Sequence, residues 1–221
     1  MPLALAIHER LLEAYGCPEW RNPFPPLDEL VSTILSQNTN DANRDRAFNA
    51  LKARFADWPA VRDAQAEDVI AAIRPAGLAN QKGPRIQEVL RAITAQRGTL
   101  ELDFLRDLPL EEARAWLMQF KGVGPKTAAI VLLFALGRPA FPVDTHIYRV
   151  SGRIGLRPET IPVEAAHPYL EALFPPETYG AAHLNLIRLG REVCTARTPF
   201  CERCPVRDLC DYAGRRPLSS R

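Results

Sequence analysis

The chain has 221 residues, of which 47% are hydrophobic and 24% are charged, so it can form one or two compact domains with their own cores. No run of residues approaches the roughly 20 apolar positions that a membrane span requires, which excludes an integral helical membrane protein. A formal net charge of +2 at pH 7 is too small to indicate a nucleic-acid partner by itself.

The first residues, MPLALAIHERLLEAYG, are apolar but are interrupted by His8, Glu9 and Arg10. This pattern is typical of an amphipathic helix and not of a signal peptide, whose core is an unbroken apolar run. We therefore expect a cytoplasmic protein in a reducing compartment, where cysteines remain thiols.

Helical patterns dominate the rest of the chain, and no strand pattern of period two is present in the sequence. Apolar residues recur every three or four positions on one face of each segment, and glycine or proline separates several of them. The predicted helices are Leu3–Tyr15, Leu27–Ser36, Arg44–Phe55, Ala66–Ile73, Pro84–Gln96 and Leu110–Phe120. Together with the later segments, they predict roughly ten helices and an all-α fold.

The segment Phe120–Tyr148, FKGVGPKTAAIVLLFALGRPAFPVDTHIY, carries the most chemical information. Gly122 and Gly124 bracket Val123 in a predicted tight turn, and Pro125 suits the first position of the helix that follows. The exposed N–H groups of such a turn form a small concavity that can hold one backbone phosphate.

Lys126 and Asp144 are the candidate catalytic residues of this segment. Lys126 lies in the first turn of a predicted helix, where the helix dipole disfavours an ammonium ion and favours the neutral amine that imine-forming catalysis requires. Only four of the 28 basic residues are lysines, and arginine cannot lose its proton to become a nucleophile. Asp144 is placed to cap a second helix as an ionised carboxylate. A solvated surface lysine and a plain helix cap remain the alternatives.

The motif KGVGPKTA, followed by VDTH, resembles the helix–hairpin–helix and Gly/Pro–Asp signature of the endonuclease III family of DNA glycosylases. The resemblance extends over nearly the whole chain, and it places the family's catalytic lysine on Lys126 and its catalytic aspartate on Asp144. It implies that the Lys126 amine attacks C1′ of a flipped nucleotide, while Asp144 helps to deprotonate the lysine and stabilises positive charge on the sugar.

The hairpin departs from the family's usual LPGVG, because Phe120 and Lys121 stand where leucine and proline are common. The resemblance implies that Gly122, Val123 and Gly124 contact DNA, and Lys121 either adds a phosphate contact or is solvated.

Four of the five cysteines form a cluster with the spacing C-x6-C-x2-C-x5-C, namely Cys194, Cys201, Cys204 and Cys210. Four thiols in one short segment indicate metal binding, and the lack of an export signal disfavours disulfides. Zinc and a [4Fe-4S] cluster both accept four cysteines, so the ligand set leaves both open. The resemblance implies a [4Fe-4S] cluster that folds a loop and presents arginines such as Arg197 to phosphates. Cys17 is left over and is interpreted as a small buried hydrophobe.

An enzyme that acts on a base inside a duplex must first extrude the nucleotide, and some side chain must then fill the gap. In the family one such residue comes from a GLxNxK loop, which falls here on residues 77–82. The resemblance therefore implies that Leu78 is an apolar wedge and that Lys82 contacts DNA. A core leucine is the alternative for Leu78.

The second gap-filling residue of the family comes from an LSxQxxD turn, which falls on Leu35–Asp41. The glutamine position holds Asn38, and Gln37 stands just before it, so the resemblance implies that both amides contact DNA. The shorter amide fills less of the gap, which leaves the opposite-base preference open. An ordinary polar turn between two helices is the alternative.

The resemblance also implies two helical lobes with a DNA groove between them. A six-helix barrel domain with the helix–hairpin–helix would span residues 25–136, and residues 1–24 with 137–221 would form an iron–sulfur cluster domain. The implied activity is that of a monomeric DNA glycosylase and abasic-site (AP) lyase, which excises oxidised pyrimidines from duplex DNA and cleaves the abasic site by β-elimination. The alternatives are a monofunctional mismatch glycosylase, a non-catalytic DNA-binding module and a zinc-stabilised adaptor.

Overall fold

A computed structural model describes residues 2–20 and 24–214. Within these residues all regular structure is helical and no strand occurs, as the sequence predicts. In these ranges, too, no helix has the length and hydropathy needed to cross a bilayer. The α-helices in chain order are α1 (Leu3–Tyr15), α2 (Pro26–Ser36), α3 (Asp41–Arg54), α4 (Trp58–Asp63), α5 (Ala66–Ile73), α6 (Ala79–Arg97), α7 (Leu110–Met118), α8 (Pro125–Ile130), α9 (Thr145–Ile154), α10 (Val163–Glu171), α11 (Tyr179–Glu192) and α12 (Asp211–Gly214).

The predicted helices are present, and α1 and α5 begin and end at the predicted residues. The predicted start of α6 at Pro84 is wrong, because the helix begins five positions earlier and Pro84 lies inside it. Proline removes one helical hydrogen bond but has the φ that a helix needs, so tertiary packing can keep it within a helix. The extra N-terminal turns bring Lys82 into α6.

The helices group into two compact units. The central unit comprises Pro23–Arg138, and the terminal unit comprises Met1–Asn22 together with Pro139–Arg221. The chain therefore leaves the terminal unit after its first helix and returns to it for the remaining ones.

The core of the central unit is built from the apolar faces of α2, α3, α5 and α6, which pack on one another. Leu30 and Ile34 of α2 and Ile86 and Leu90 of α6 are fully buried. Each such side chain contributes about 1.5–3 kcal/mol through burial. Gly83 lets α6 approach α5 closely, because a Cβ there would lie 2.9 Å from a side-chain carbon of Ile70.

The apolar segment after the hairpin begins as α8 and continues as a π-helical turn over Val131–Ala135. Arg106 holds the end of this turn by donating to the carbonyls of Ala135 and Leu136, at 2.8 and 2.6 Å. The sequence predicts a single buried helix here. The residues are largely buried, but the wider turn and the arginine end the helix in a way that periodicity does not show.

In the terminal unit, α11 packs on α1 and α9. The fully buried ring of Phe141 stacks on Phe174, with ring centroids 5.3 Å apart, and meets the edge of Tyr179 at 5.3 Å. This aromatic cluster holds the extended segment that enters α9.

Candidate functional site

The hairpin between α7 and α8 has the tight turn that the sequence predicts. Gly122 has a φ of +85°, in the left-handed region that favours glycine, and Gly124 precedes α8 with an extended backbone. Pro125 occupies the first position of α8. The side chain of Val123 is buried, so this residue can offer a ligand only its backbone.

Two side chains from other elements of the central unit fix the hairpin. Gln37 Nε2 donates to the carbonyl of Gly122 at 2.9 Å. Arg85 of α6 lies against Gly122, where a Cβ would overlap its side chain. Gly122 is therefore required both by its φ and by the space that Arg85 takes. Sequence reasoning did not select Arg85, although its position three residues after Lys82 places both on one face of a helix.

Lys126 is the second residue of α8, and its side chain is exposed. Thr127 and the three residues after it are buried, so α8 turns its apolar side to the core and Lys126 to solvent. Lys121, before the hairpin, is also exposed. Both amines are therefore accessible to a ligand that binds at this surface of the central unit.

Asp144 caps α9, as the sequence predicts. Its Oδ1 accepts the backbone N–H of Ile147 at 2.7 Å, and its own backbone is extended. The cap fixes the direction in which the carboxylate points.

The extended segment just before this cap is held by side chains of α10 and α11. The carboxylate of Glu171 accepts the N–H of Phe141 at 2.7 Å. Two buried histidines donate from Nδ1 to consecutive carbonyls, His167 to Phe141 at 3.1 Å and His183 to Pro142 at 2.9 Å. The carbonyl oxygens can only accept, so both rings carry a proton on Nδ1. Nothing in the local sequence connects these distant residues with the segment that they hold.

The two gap-filling candidates of the central unit share an unusual backbone. Asn38 has a φ of +53° and Leu78 a φ of +50°, and they are the only non-glycine residues in the described part of the chain with a positive φ. Leu78 is 47% exposed, so it is not the core leucine of the alternative interpretation. Backbone conformations of this kind cluster at functional positions.

The structure corrects the expectation that Lys82 contacts DNA. Lys82 is 3% exposed, and its Nζ donates to the carbonyls of Leu35 and Ala76 at 2.7 and 2.8 Å. Burial lowers the pKa of Lys82. An amine with these partners is part of the core of the central unit and cannot reach a phosphate.

Cysteines 194, 201, 204 and 210 line one cavity of the terminal unit and are free of disulfide bonds. The rest of the cavity wall is largely apolar and includes Leu189, Val193 and Val206. The expectation that Cys17 is buried is wrong: it is exposed, because it follows the glycine at the end of α1 and leaves the helix on the solvent side.

The environment of these thiols fits a cationic metal group. The pKa of the Cys204 thiol is raised to about 11, chiefly by burial and also by the three neighbouring cysteines, while the N–H of Val206 acts in the opposite direction. Burial also raises the pKa of Cys210, against two backbone N–H groups. Thiolates in this cavity therefore need a positive partner, and iron ions can supply that charge.

Two arginines of α9 hold the start of this cysteine loop, residues 194–210. Arg149 donates to the carbonyl of Cys194 at 3.1 Å. Arg153 donates to Sγ of Cys194 at 3.5 Å and to the carbonyl of Thr195 at 2.7 Å. Arg197 projects from the same loop and is exposed, as a contact to phosphate requires. Sequence reasoning missed Arg149 and Arg153, because their partners lie more than 40 positions away.

Two parts of the chain match known families. Residues 31–176 match the family described as HhH-GPD superfamily base excision DNA repair protein. Residues 194–210 match the iron–sulfur binding domain of endonuclease III. The second match identifies the cysteine loop as the site of a [4Fe-4S] cluster, which decides between this cofactor and zinc.

Individual relatives agree with these matches. Endonuclease III of Thermotoga maritima is 32% identical over 191 residues, which cover 86% of this chain and 85% of that protein. A protein of Arabidopsis thaliana, whose name marks it as an inferred DNA glycosylase, is 42% identical over 151 residues, which cover 68% of this chain and 52% of that protein. A solved non-covalent complex of an endonuclease III with DNA has a TM-score of 0.82 and 27% identity, covering 95% of this chain and 94% of that chain.

Replacing one thiol of the cysteine loop should release the metal. In Cys204→Ser, the iron that remains bound after a challenge with a chelator is expected to fall by more than about tenfold. Removing a residue that only hydrogen-bonds to a metal ligand already weakens metal binding about tenfold, and removing a ligand should weaken it at least as much. The readouts are iron content and visible absorbance. Cys17→Ser, at the exposed cysteine outside the loop, should retain iron like the unmodified protein. Equal retention by the two variants would contradict the ligand assignment.

The segment before Asp144 should depend on the acceptor that Glu171 provides. Glu171→Ala leaves the N–H of Phe141 without this acceptor, so we expect the free energy of unfolding to fall by about 1–3 kcal/mol. Glu171→Gln keeps an oxygen in place and should lose clearly less. Denaturant unfolding of both variants measures the difference, and equal losses would show that the hydrogen bond to Phe141 does not stabilise the segment.

Proposed function

The chain belongs to the HhH-GPD superfamily of base excision DNA repair proteins, as an endonuclease III-like DNA glycosylase, and we propose that it is bifunctional. It removes an oxidised pyrimidine from duplex DNA and then cleaves the strand at the resulting abasic site. The partner is duplex DNA with a damaged base or an abasic site, bound by a single copy of the chain.

The observation that carries the proposal is the exposed amine of Lys126, placed directly after a hairpin that suits a phosphate. In the excision step, the nitrogen of Lys126 forms a bond to C1′ of the extruded nucleotide. The bond from C1′ to the base breaks, and the base leaves with the electron pair and takes up a proton. The nitrogen then loses a proton and forms a C=N bond as the C1′–O4′ bond breaks, and the ring oxygen leaves with the electron pair and takes up a proton, which gives an imine.

The strand is cut in a second step that uses the same covalent bond. The imine makes the proton on C2′ acidic, and its removal expels the 3′ phosphate oxygen from C3′ with the bonding electrons. Hydrolysis of the imine releases Lys126. A monofunctional glycosylase activates water instead, so it would have no use for an exposed amine at this position.

Asp144 acts in this scheme as a carboxylate that offsets the positive charge developing on the sugar. Its cap on Ile147 and the three side chains that hold the preceding segment support this role, because electrostatic stabilisation requires a group that does not move during the reaction. A non-catalytic DNA-binding module would need Asp144 only as the cap of α9 and would give its charge no further role.

Contacts to DNA are assigned by exposure and position. Gly122 and Gly124 offer backbone N–H groups to one phosphate, and Lys121 adds a charge beside them. Leu78 and Asn38 enter the duplex at the gap left by the extruded nucleotide. We assign the helix–hairpin–helix barrel domain to the central unit and the cluster domain to the terminal unit.

The terminal unit contributes the cysteine loop. The [4Fe-4S] cluster, when bound, supplies an electron-transfer group and positive charge to the four thiolates, and base excision by an amine transfers no electrons. The loop residues act on DNA through charge, with Arg197 directed to a phosphate. Arg149 and Arg153 keep the start of the loop attached to α9.

Covalent trapping tests the nucleophile. Borohydride added to the protein with an abasic-site duplex should reduce the imine to a stable adduct, and Lys126→Ala should form it more than about 100-fold less. Lys52→Ala, which removes another surface lysine of the central unit, should trap at the level of the unmodified protein. DNA binding by Lys126→Ala should persist. Full trapping by Lys126→Ala would assign the nucleophile to a different residue.

A lesion panel tests the substrate class. Duplexes that differ only in one position should carry an oxidised pyrimidine, an oxidised purine, uracil or a mismatched adenine, with base release and strand cleavage scored separately. We expect release of the oxidised pyrimidine to be at least about tenfold faster than the others, because pocket contacts discriminate by this order. Fastest release of uracil or adenine without strand cleavage would instead support a monofunctional mismatch glycosylase.

A further inference from the structure

We propose that Lys82 is a positioning residue that holds the two probing loops of the central unit in one fixed arrangement. The probing loops are residues 36–40, which carry Asn38, and residues 77–78, which carry Leu78. The inference rests on the proposed function, since it assumes that these loops enter the duplex, and it assigns to Lys82 a role other than contact with DNA.

The geometry places one ammonium group at the base of both loops. Lys82 Nζ donates to the carbonyl of Leu35 at 2.7 Å, near the end of α2 and three residues before Asn38. It also donates to the carbonyl of Ala76 at 2.8 Å, two residues before Leu78. The backbone N–H of Lys82 further bonds to the carbonyl of Leu78 itself at 2.9 Å. Lys82 therefore connects two loops that are far apart in the sequence.

The chemistry of the site explains why a lysine is present in a core position. Burying an amine is unfavourable unless its hydrogens find acceptors, and an apolar side chain of similar length would fill the space at lower cost. An ammonium group carries three donors on one atom, so it can join carbonyls from two separate segments, which an apolar side chain cannot. Burial lowers the pKa of Lys82, in agreement with a group that serves structure and not solvent.

The restraint acts where the backbone is strained. Asn38 and Leu78 have φ values of +53° and +50°, in a region that side chains with a Cβ rarely adopt. Such conformations persist only where the surroundings fix them. The two carbonyls that Lys82 holds lie three and two residues before these strained positions, so loss of the ammonium would let both loops relax and change their separation.

The same face of α6 also supports the phosphate-binding hairpin. Arg85 lies one turn after Lys82 and packs against Gly122, while Gln37 of the first probing loop donates to the carbonyl of Gly122. Side chains of α6 therefore contact both the segments next to the probing loops and the hairpin. This arrangement lets a duplex that is held at the hairpin meet both probing residues at a fixed distance.

The test compares Lys82→Met with the matched control Gln87→Met. Gln87 lies on the same helix, is 2% exposed, and donates from Nε2 to the carbonyls of Val61 and Ala64 at 3.0 and 2.8 Å. A third, longer bond of Gln87 goes to the carbonyl of Arg62 at 3.5 Å. Both substitutions thus remove a buried donor of α6 from backbone carbonyls, but only Lys82 serves the probing loops. Leu78→Ala sets the size of effect that loss of the wedge produces.

Single-turnover rates are measured for base release from an oxidised-pyrimidine duplex and for strand cleavage of a preformed abasic duplex. The ratio of the two rates should fall at least tenfold in Lys82→Met, toward the value of Leu78→Ala, and should be unchanged in Gln87→Met. An unchanged ratio in Lys82→Met, or an equal fall in both variants, overturns the proposal. If Lys82→Met does not fold at the assay temperature, Lys82→Gln, whose donor is shorter, takes its place. The same fall in the ratio of base release to strand cleavage is then expected, and an unchanged ratio again overturns the proposal.

A binding readout separates this proposal from the proposed function. 2-Aminopurine placed opposite the abasic site brightens when a side chain enters the gap and unstacks it. At saturating protein, the increase in 2-aminopurine fluorescence should be at least halved in Lys82→Met and should be retained in Gln87→Met. Equal fluorescence increases in the two variants overturn the positioning role. Failure of the unmodified protein to release any base would count against the proposed function alone, since the fluorescence comparison does not require catalysis.

Discussion

Buried or half-buried side-chain donors that bind backbone carbonyls are the interaction on which the candidate site depends. Lys82 binds the carbonyls before both probing loops, and His183 binds the carbonyl of Pro142 ahead of Asp144. Arg153 donates to the carbonyl of Thr195 at the start of the cysteine loop. In each case the loop carbonyl has no hydrogen-bond partner within a helix and accepts instead from a side chain of a neighbouring helix. These hydrogen bonds hold segments that lack regular structure in fixed positions against the helices.

The sequence predicts those parts of the site that are local in the chain. The hairpin glycines, the cap by Asp144 and the start of α8 all follow from residues within a few positions of one another. The bounds of α1 and the end of α5 follow from the glycine and proline residues next to them in the sequence. The spacing of the four thiols likewise predicts a metal loop, and comparison with a known family then decides between two cofactors.

The remaining features depend on partners that are distant in the sequence. A lysine in a GLxNxK loop gives no sign that it will be buried, because its acceptors belong to α2 and to the turn before α6. The misplaced start of α6 has the same origin, since packing of Gly83 against α5 keeps Pro84 inside a helix. Nothing in the helices α10 and α11 alone distinguishes Glu171, His167 and His183 from other helix residues. Their partners become visible only in the folded structure, where the aromatic cluster places Phe141 beside them. These contacts are decided by tertiary packing, which overrides local preference.

The division of the terminal unit between the two ends of the chain has a consequence for its synthesis. Helix α1 packs on α11, and Asn185 bonds to the carbonyl of Gly16 across 169 positions of sequence. During translation α1 emerges before the central unit, yet its packing partner α11 emerges only after the whole central unit. The complete central unit is therefore synthesised before the apolar face of α1 can be covered by α11, so the terminal unit cannot be completed until the end of α11 has been made.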